Sequence, residues 1–362
     1  MCPWNYRINY NPKRIPSSLV EAHCNCHEAP DDARFKCQPL LYKVRVLQFD
    51  EGCSKYNRTY ETVSIACIPV LQTSDTTATR VKWLAEENNA ERRYILITGS
   101  SDGIGRETAL QLSKDSNNHI ILHGRNDSRC DDAKEWLKNK RRPAHRFSCV
   151  VAEFHNLEEV VKMAKEVKRK FPKLKVLLLN AGIWARSGAE RTKIGLEETF
   201  QINHLAHHLL TRHLEYTLIR NAPSRIVVVS SGLHTWPDEH SDWDDFNKTK
   251  PYFSLGLYSR SKLYNVLFTD YLADKLKRYK VTANSLHPGH LRTKLSGWTG
   301  RPVSEVQTPA FLAVSPEVEG KTGAYYGQYS SEGRKNPIAL VKANQEKLWK
   351  YSEKILKKER LI

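Results

Sequence analysis

The stretch that most restricts what this chain can fold into is YILITGSSDGIG, residues 94–105. Ile95, Leu96 and Ile97 form an apolar, β-branched-rich run of the length of a buried strand. Thr98 and Gly99 end it, Ser100, Ser101, Asp102, Gly103, Ile104 and Gly105 make a glycine-rich turn, and Arg106-Glu107-Thr108-Ala109-Leu110 opens an amphipathic helix. A strand, a glycine turn and a helix N-terminus together make an anion site, because unpaired backbone N–H groups and the helix dipole both point at a bound phosphate. The spacing G-x-x-x-G-x-G differs from the commoner G-x-G-x-x-G. Taken singly, such a turn equally suits an ordinary tight βα connection.

The βα rhythm then repeats. Residues 120–122 read as a second strand ending in His123-Gly124-Arg125-Asn126, and residues 148–152 as a third, followed by Glu153 and a helix to Lys170. Residues 176–179 end in Asn180-Ala181-Gly182, 225–229 in Ser230-Ser231, and 281–286 in His287-Pro288-Gly289. Asn203 lies in a long helical pattern, and Tyr258 and Lys262 open a helix that runs to about residue 276. Such alternation predicts an α/β fold, a Rossmann-type doubly wound parallel sheet covered on both faces. Ligands bind such sheets beyond the carboxyl ends of the strands, where each of these motifs falls. An acidic residue at the tip of the second strand would accept the 2′-OH of NAD, whereas an arginine accommodates the 2′-phosphate of NADP. Arg125 therefore predicts NADP, with NAD the alternative.

Tyr258 and Lys262 stand four residues apart, which on a helix puts both side chains on one face. A tyrosine with an ordinary pKa of about 10 is a poor acid–base catalyst at neutral pH, and an adjacent ammonium favours its phenolate. Ser231, at a strand end, can donate to a substrate oxygen. Y-x-x-x-K alone is common on solvated helices. The whole order is far more specific: glycine turn, Asn-Ala-Gly, Asn in the next helix, Ser-Ser, Tyr-x-x-x-Lys, Pro-Gly.

That order resembles the short-chain dehydrogenase/reductase family over residues 92–362, and within it the retinol-dehydrogenase-like and WW-domain-containing oxidoreductases. Further residues carrying the likeness are Gly195-Leu196-Glu197-Glu198-Thr199-Phe200-Gln201-Ile202-Asn203-His204-Leu205, Tyr258-Ser259-Arg260-Ser261-Lys262-Leu263-Tyr264-Asn265, Val281-Thr282-Ala283-Asn284-Ser285-Leu286 and Leu348-Trp349-Lys350-Tyr351-Ser352-Glu353. The resemblance implies a hydride transfer between nicotinamide and a carbonyl or alcohol of a lipophilic, retinoid- or steroid-like small molecule. By the same likeness, Tyr258 exchanges the proton of the substrate oxygen. Lys262 holds the nicotinamide ribose and lowers the Tyr258 pKa, Ser231 rather than Ser230 orients the carbonyl, and Asn203 supports the proton relay. Residues Gly99, Ser100, Ser101, Asp102, Gly103, Ile104 and Gly105 would cradle the pyrophosphate. Arg125 and Asn126 would meet the adenosine ribose, Asn180, Ala181 and Gly182 would flank adenosine, and Pro288, Gly289 and Thr293 the nicotinamide. Hydride chemistry belongs to the cofactor, and the protein supplies position and electrostatics.

His204, His207 and His208 are expected to pack or cap rather than bind metal, so no metal site is expected. Glu153 stands where the family favours Asp against adenine, which would weaken binding modestly. Two departures concern architecture. No WW repeat precedes the oxidoreductase segment, and residues 297–308 are short where the family has about 20 further residues in its substrate lid. A shortened lid would leave the pocket more open, and an idle scaffold is the corresponding rival reading.

The first fifth of the chain is different. Cys2, Cys24, Cys26, Cys37, Cys53 and Cys67 crowd it, while only Cys130 and Cys149 follow. That contrast reads as a disulfide module joined to a reduced enzyme. Residues 42–49 and 59–67 alternate as strands do, with Asp50-Glu51-Gly52 as a turn between them. Asn57-Arg58-Thr59 is a glycosylation sequon if this segment is secreted. His23-Cys24-Asn25-Cys26-His27 has no second paired cluster at a zinc-finger spacing.

Cys2-Pro3-Trp4-Asn5, Arg14-Ile15-Pro16, Glu21-Ala22-His23-Cys24-Asn25-Cys26, Val44-Arg45-Val46-Leu47 and Ser64-Ile65-Ala66-Cys67-Ile68-Pro69-Val70 resemble the interleukin-17 cytokine family, covering residues 1–71. The likeness implies a small all-β, cystine-knot-like module that is secreted, dimeric and a ligand of a cell-surface receptor. Ile65 takes the place of one cysteine of the family's C-x-C pair, which leaves one knot cysteine missing.

Residues 72–91 read as a linker, polar at 73–79 and then a short helix over 81–92. A cytokine-like module suits the extracellular space and the oxidoreductase the cytoplasm, and no leader sequence precedes the first motif. The expectation is a fusion, or two joined gene products, with a seam near residues 70–80. The formal net charge is +17. Its basic runs, 138–142, 165–170 and 354–360, interleave with Glu and apolar residues, and so read as solvated helix faces rather than a nucleic-acid surface. No apolar run reaches the ~18 residues of a membrane span.

Overall fold

The computed structural model describes residues 4–24, 28–29, 32–50, 55–71, 92–140, 143, 146–185, 190–247, 254–293, 295, 297 and 299–362. It divides into two compact units, Met1–Ala90 and Glu91–Ile362.

In the first unit β1 (Trp4–Tyr10), β2 (Arg14–Ile15) and β3 (Ser18–Cys24) lead, through β4 (Glu28–Ala29), to the long strands β5 (Asp32–Asp50) and β6 (Lys55–Leu71). β1 pairs antiparallel with β3, and β5 with β6 from Phe35 opposite Leu71 to Asp50 opposite Lys55. The two alternating segments expected as strands are thus longer than their apolar cores, since ladder pairing carries polar residues along. Among the described residues Leu19, Val46 and Val63 form an apolar cluster, with Val44 against them. Beside it Arg14 is fully buried, which a guanidinium tolerates only when its N–H groups are paired. Its Nε donates to the Pro16 carbonyl at 3.0 Å, its Nη2 to those of Asn9 (2.7 Å) and Ser17 (3.1 Å), and its Nη1 bonds Glu61. This arginine ties the β1–β3 corner to β6. Cys2, Asn25, Cys26, His27, Glu51, Gly52, Cys53 and the linker 72–91 with its expected helix lie outside the described residues, as do the side chains of Cys24, Cys37 and Cys67.

The second unit is a seven-stranded sheet in the order β13-β12-β11-β10-β7-β8-β9, with every pairing parallel. Its strands are β7 (Arg93–Ile97), β8 (Asn118–Gly124), β9 (Phe147–Val151), β10 (Leu174–Leu179), β11 (Ser224–Val229), β12 (Val281–Leu286) and β13 (Tyr325–Tyr326). The helices are α1 (Gly103–Leu112), α2 (Asp127–Asn139), α3 (Leu157–Lys170), the single turn α4 (Glu198–Phe200), α5 (Ala206–Arg220), α6 (Ser254–Leu276), α7 (Thr308–Val314), α8 (Pro337–Leu340) and α9 (Lys342–Lys358).

Side chains along each strand alternate between two cores, as the two-residue strand period requires. Leu96, Ile121, Leu177 and Val228 face α3, α5 and α6, whereas Ile95, Ile97, Leu122, Leu178 and Val227 face α1, α2 and α7. Both faces are covered, so the strands read as continuous apolar runs. The strand order steps outward from β7 through β8 to β9, then returns to the other side of β7 at β10. The carboxyl-end crevice at that reversal is the ligand position of an open α/β sheet.

Two features differ from the sequence reading. β13 was not expected: a two-residue strand has too little pattern to separate from a loop. Cys130 of α2 and Cys149 of β9 form a disulfide with Cα atoms 6.0 Å apart, rather than lying as separate thiols of a reduced segment. The turn back from α2 onto β9 brings them together, which their spacing in sequence does not reveal. No described helix is long and apolar enough to cross a membrane.

Candidate active site

The glycine turn closes over the end of β7. Gly99 and Gly103 have φ of +61° and +54°, a region that glycine enters without strain. Gly105 is required for a different reason: a Cβ there would lie 2.5 Å from the Gly99 carbonyl oxygen and 2.6 Å from Asn180 Nδ2. Asp102 caps α1 by accepting from the Gly103 N–H at 2.8 Å, and it pairs with Arg106 at 3.2 Å. Ser100 is buried, its Oγ donating to the Ile97 carbonyl at 2.8 Å, while Ser101 and Ile104 are half-buried. Asn180 braces the turn: its Nδ2 donates to the carbonyls of Thr98 (2.9 Å) and Gly99 (3.0 Å). Thr98 Oγ1 accepts from the N–H groups of Asn180 (2.8 Å) and Ala181 (3.0 Å). The close-packed glycines and the helix N-terminus behind them fit a dinucleotide's pyrophosphate.

Two histidines support this turn: His123, to which the sequence reading gave no role, and His207, expected there only to pack or cap. His123 Nδ1 accepts from the Gly99 N–H at 2.9 Å and Nε2 donates to the Ala152 carbonyl at 3.0 Å, so its neutral tautomer is set by its partners. His207 Nδ1 donates to the Asn203 carbonyl at 3.1 Å, leaving Nε2 to accept from the Thr98 hydroxyl at 2.9 Å. Phe154 lies between them, stacked on His123 and edge-on to His207. Burial pushes His123 down to about 4 and His207 to about 3, which keeps both neutral and able to accept. The signal in the sequence was a histidine inside an apolar strand end, which has no reading until its partners are known. Replacing His123 by Leu would orphan the Gly99 N–H, a loss of about 1–3 kcal/mol. Dinucleotide affinity measured by fluorescence titration is expected to fall about tenfold or more in that variant, and to recover partly in His123→Gln.

The second group sits at the ends of β10, β11 and in α6. Tyr258 and Lys262 lie on one helix face, with Lys262 Nζ 5.3 Å from the Tyr258 ring centre. The Tyr258 hydroxyl is hydrogen-bonded to the Ser231 side chain. Ser230, by contrast, is buried with its Oγ donating to the Lys262 carbonyl at 2.7 Å, so of the two serines it is Ser231 that meets Tyr258. Lys262 Nζ donates to the Val229 carbonyl at 3.2 Å, and burial brings its ammonium down to about 8. Burial drives the Tyr258 phenol in the opposite direction, well above its ordinary value, and the Ser231 hydrogen bond only partly offsets this. The expected depression of Tyr258 by Lys262 does not show here: loss of water around the phenol dominates, and the Ser231 hydrogen bond is the influence acting against it.

Asn203 lies in a wide, π-helical turn, Gln201–Leu205, that interrupts the helix between α4 and α5. Such turns splay one residue out of the regular helical row. Its side chain holds the segment after β10: Oδ1 accepts from the Ile183 N–H at 2.8 Å, and Nδ2 donates to the Ile183 carbonyl and to Ser261 Oγ, each at 3.0 Å. A Cβ on Gly182 would lie 3.2 Å from Asn203 Oδ1 and 3.6 Å from Lys262 Nζ, so Asn203, Gly182 and Lys262 converge. Trp184, which the sequence reading passed over, stacks obliquely on Tyr258 at 5.8 Å and donates to Ser254 Oγ at 3.0 Å.

At the tip of β8 Arg125 is exposed, with Nε 3.9 Å from Glu153 Oε2. Asn126 caps α2, accepting from the Arg129 N–H at 3.0 Å. Pro288 and Gly289 are buried, Gly289 with φ +97°, and a Cβ on Gly103 would meet Thr293 Cγ2 at 3.6 Å, so the segment after β12 reaches the glycine turn. The short segment after it closes on itself: Leu291 bridges Arg301, and the Arg292 N–H donates to the Arg301 carbonyl at 2.7 Å. Lys294, Ser296 and Trp298 lie outside the described residues. His204 bonds Ser352 Oγ at 3.0 Å and His208 bonds Glu353 at 2.9 Å, so these two histidines join the π-helical turn and α5 to α9. Among the described residues no group of His, Cys, Asp and Glu is arranged to hold a metal.

Residues 93–241 match the family model of the short chain dehydrogenases, and residues 1–71 that of interleukin-17. Retinol dehydrogenase 14 of Homo sapiens is 37% identical over 291 residues, which cover 72% of this chain and 85% of that protein. The WW domain-containing oxidoreductase of Pongo abelii is 33% identical over 295 residues, covering 74% and 69%. Among solved structures, an NAD(P)-dependent gluconate 5-dehydrogenase from Beutenbergia cavernae with bound NADP superposes with a TM-score of 0.54 at 23% identity, covering 65% of this chain and 94% of that one. That likeness speaks to the fold alone.

Proposed function

The chain belongs to the short-chain dehydrogenase/reductase family of nicotinamide-dependent oxidoreductases, and from that premise we propose that residues 92–362 transfer hydride between NADP and a carbonyl or alcohol of a lipophilic small molecule. The observation that carries this reading is the Ser231–Tyr258–Lys262 group, set beside the glycine turn at the carboxyl ends of the strands.

A bound nicotinamide supplies or accepts the hydride. Residues 99–105 would hold its pyrophosphate, Asn180, Ala181 and Gly182 its adenosine side, and Thr293 with Pro288 and Gly289 its nicotinamide end. In the reducing direction Ser231 donates a hydrogen bond to the substrate oxygen. Tyr258 delivers the proton to that oxygen, and the Lys262 ammonium stabilises the phenolate left behind. Asn203 acts by positioning, since it holds the Ile183 backbone and Ser261 around this group. Trp184 beside Tyr258 supplies an aromatic wall that favours a lipophilic substrate over a polar one.

Arg125 supports NADP, because its exposed guanidinium stands where a 2′-phosphate would be met and needs only to leave a 3.9 Å ion pair with Glu153. The test is cofactor preference. Arg125→Asp is expected to lower kcat/KM for NADPH at least tenfold while raising that for NADH, as measured with a common carbonyl substrate. An unchanged ratio would overturn the NADP assignment.

A second reading concerns residues 1–71, whose antiparallel strands and interleukin-17 match support a secreted receptor ligand. On this reading residues 72–91 join two separate modules, one extracellular and dimeric and one cytoplasmic. Mass spectrometry of the source tissue distinguishes a true fusion, which yields the tryptic peptide of residues 59–80, from two separate products, which do not.

A further inference from the structure

His155 lies in the connection from β9 to α3, two residues after Glu153. The backbone here is fixed: the His155 carbonyl accepts from Gln201 Nε2 at 2.9 Å, and the Glu153 N–H donates to Glu159 Oε2 at 2.8 Å. The ring of His155 stands between two carboxylates. Its Nδ1 is 3.2 Å from Glu153 Oε1, and its Nε2 is bonded to Glu198, which opens the single turn α4. An ionised carboxylate only accepts, and a neutral imidazole carries one N–H. A carboxylate on each ring nitrogen therefore calls for a proton on both, which is the imidazolium. Burial works against that charge, but the bonds and charges of Glu198 and Glu153 outweigh it, so His155 is held above its ordinary pKa.

The same Glu153 carboxylate meets Arg125 through its other oxygen, 3.9 Å from Nε. Glu198, His155, Glu153 and Arg125 thus form a row of alternating charge from α4 to the tip of β8. The two contacts of Glu153 are unequal. His155 is at hydrogen-bond distance and Arg125 is not, so the carboxylate is held chiefly by the histidine. A 2′-phosphate reaching Arg125 would bring its negative charge beside Glu153, and like charges at that range repel. A carboxylate already engaged by an imidazolium repels less and holds Arg125 less. We propose that His155 is a positioning residue for cofactor choice: by engaging Glu153 it offsets that carboxylate's charge and leaves Arg125 to the 2′-phosphate, so that the chain carries a glutamate just after β9 and still favours NADP. The inference rests on the NADP reading above and extends it from Arg125 to the side chains behind it.

The experiment reads binding rather than turnover. Adenosine 2′,5′-bisphosphate and 5′-AMP are titrated by calorimetry, at neutral pH and low salt, into the full chain and into three variants: Arg125→Ala, His155→Gln, and His155→Gln combined with Glu153→Gln. The parent chain is expected to prefer the bisphosphate, and Arg125→Ala to lose that preference. His155→Gln is expected to weaken bisphosphate binding roughly three- to tenfold and to leave 5′-AMP binding unchanged. Adding Glu153→Gln is expected to restore the bisphosphate, since the charge that His155 offsets is then gone. A merely structural histidine would weaken both nucleotides together and gain nothing from a second lost bond. Lack of preference in the parent chain removes the NADP assignment and this inference with it. A preference that depends on Arg125 but survives His155→Gln, an equal loss of both nucleotides, or a loss that Glu153→Gln does not restore overturns the role of His155 alone.

Discussion

Replacing Tyr258 by Phe is expected to lower kcat for carbonyl reduction by roughly 10²–10⁴-fold, the range that a positioned general acid contributes. The substitution removes one oxygen from a buried ring and leaves the stacking on Trp184 and the packing over Lys262 in place. NADP affinity should therefore stay near that of the parent chain, and the loss should fall on turnover. Single-turnover reduction, followed by NADPH absorbance, separates the two. Retained turnover would remove Tyr258 from the acid–base role.

The same group has a pH signature. Reduction needs a protonated Tyr258 and a charged Lys262. Burial raises the first and brings the second down to about 8, so the ammonium is the group that titrates first as pH rises. The rate of reduction is expected to hold below about pH 8 and to fall above it. A Lys262→Met variant should lose that limb of the profile together with most of its activity.

The second large effect is expected at Gly105. A Val there would drive its Cβ to within 2.5 Å of the Gly99 carbonyl and 2.6 Å of Asn180 Nδ2, both parts of the turn's own bracing. These are backbone and tethered contacts that cannot swing aside, and overpacking of this kind costs about 1–3 kcal/mol. NADP binding should fall more than 100-fold, or about 2.7 kcal/mol, because the turn must open to admit the side chain. Gly327→Ala is the matching control: a Cβ at that glycine meets nothing closer than 3.5 Å, at Ser331 Oγ, and should change little. Circular dichroism and titration of both variants check the comparison.

Much of the second unit was legible in the sequence because its signals are local. The runs at 95–97, 120–122, 176–179 and 226–229 are apolar on consecutive residues, as strands buried on both faces must be, and all lie in parallel strands of one sheet. Tyr258 and Lys262 share a helix face because four residues make about one turn. Helix starts were less legible. Ser254 begins α6 one turn ahead of Tyr258, and the π-helical turn at Gln201–Leu205 carries no composition that marks it. The histidines show the limit most clearly. His123, His204, His207 and His208 are neighbours or near-neighbours of motif residues, yet one acts on Gly99, another on Thr98, and the remaining two on α9.

The sequence by itself determined the order of the first six parallel strands, the glycine turn, and which end of each of those strands bears polar chemistry, since all depend on neighbours within a turn or a strand. Tertiary structure alone decided that Asn180 and His123 brace the turn and that Cys130 joins Cys149. Those outcomes depend on strand register and on the path of the crossover helices. Register is set by the packing of the whole sheet, and no segment carries that information alone.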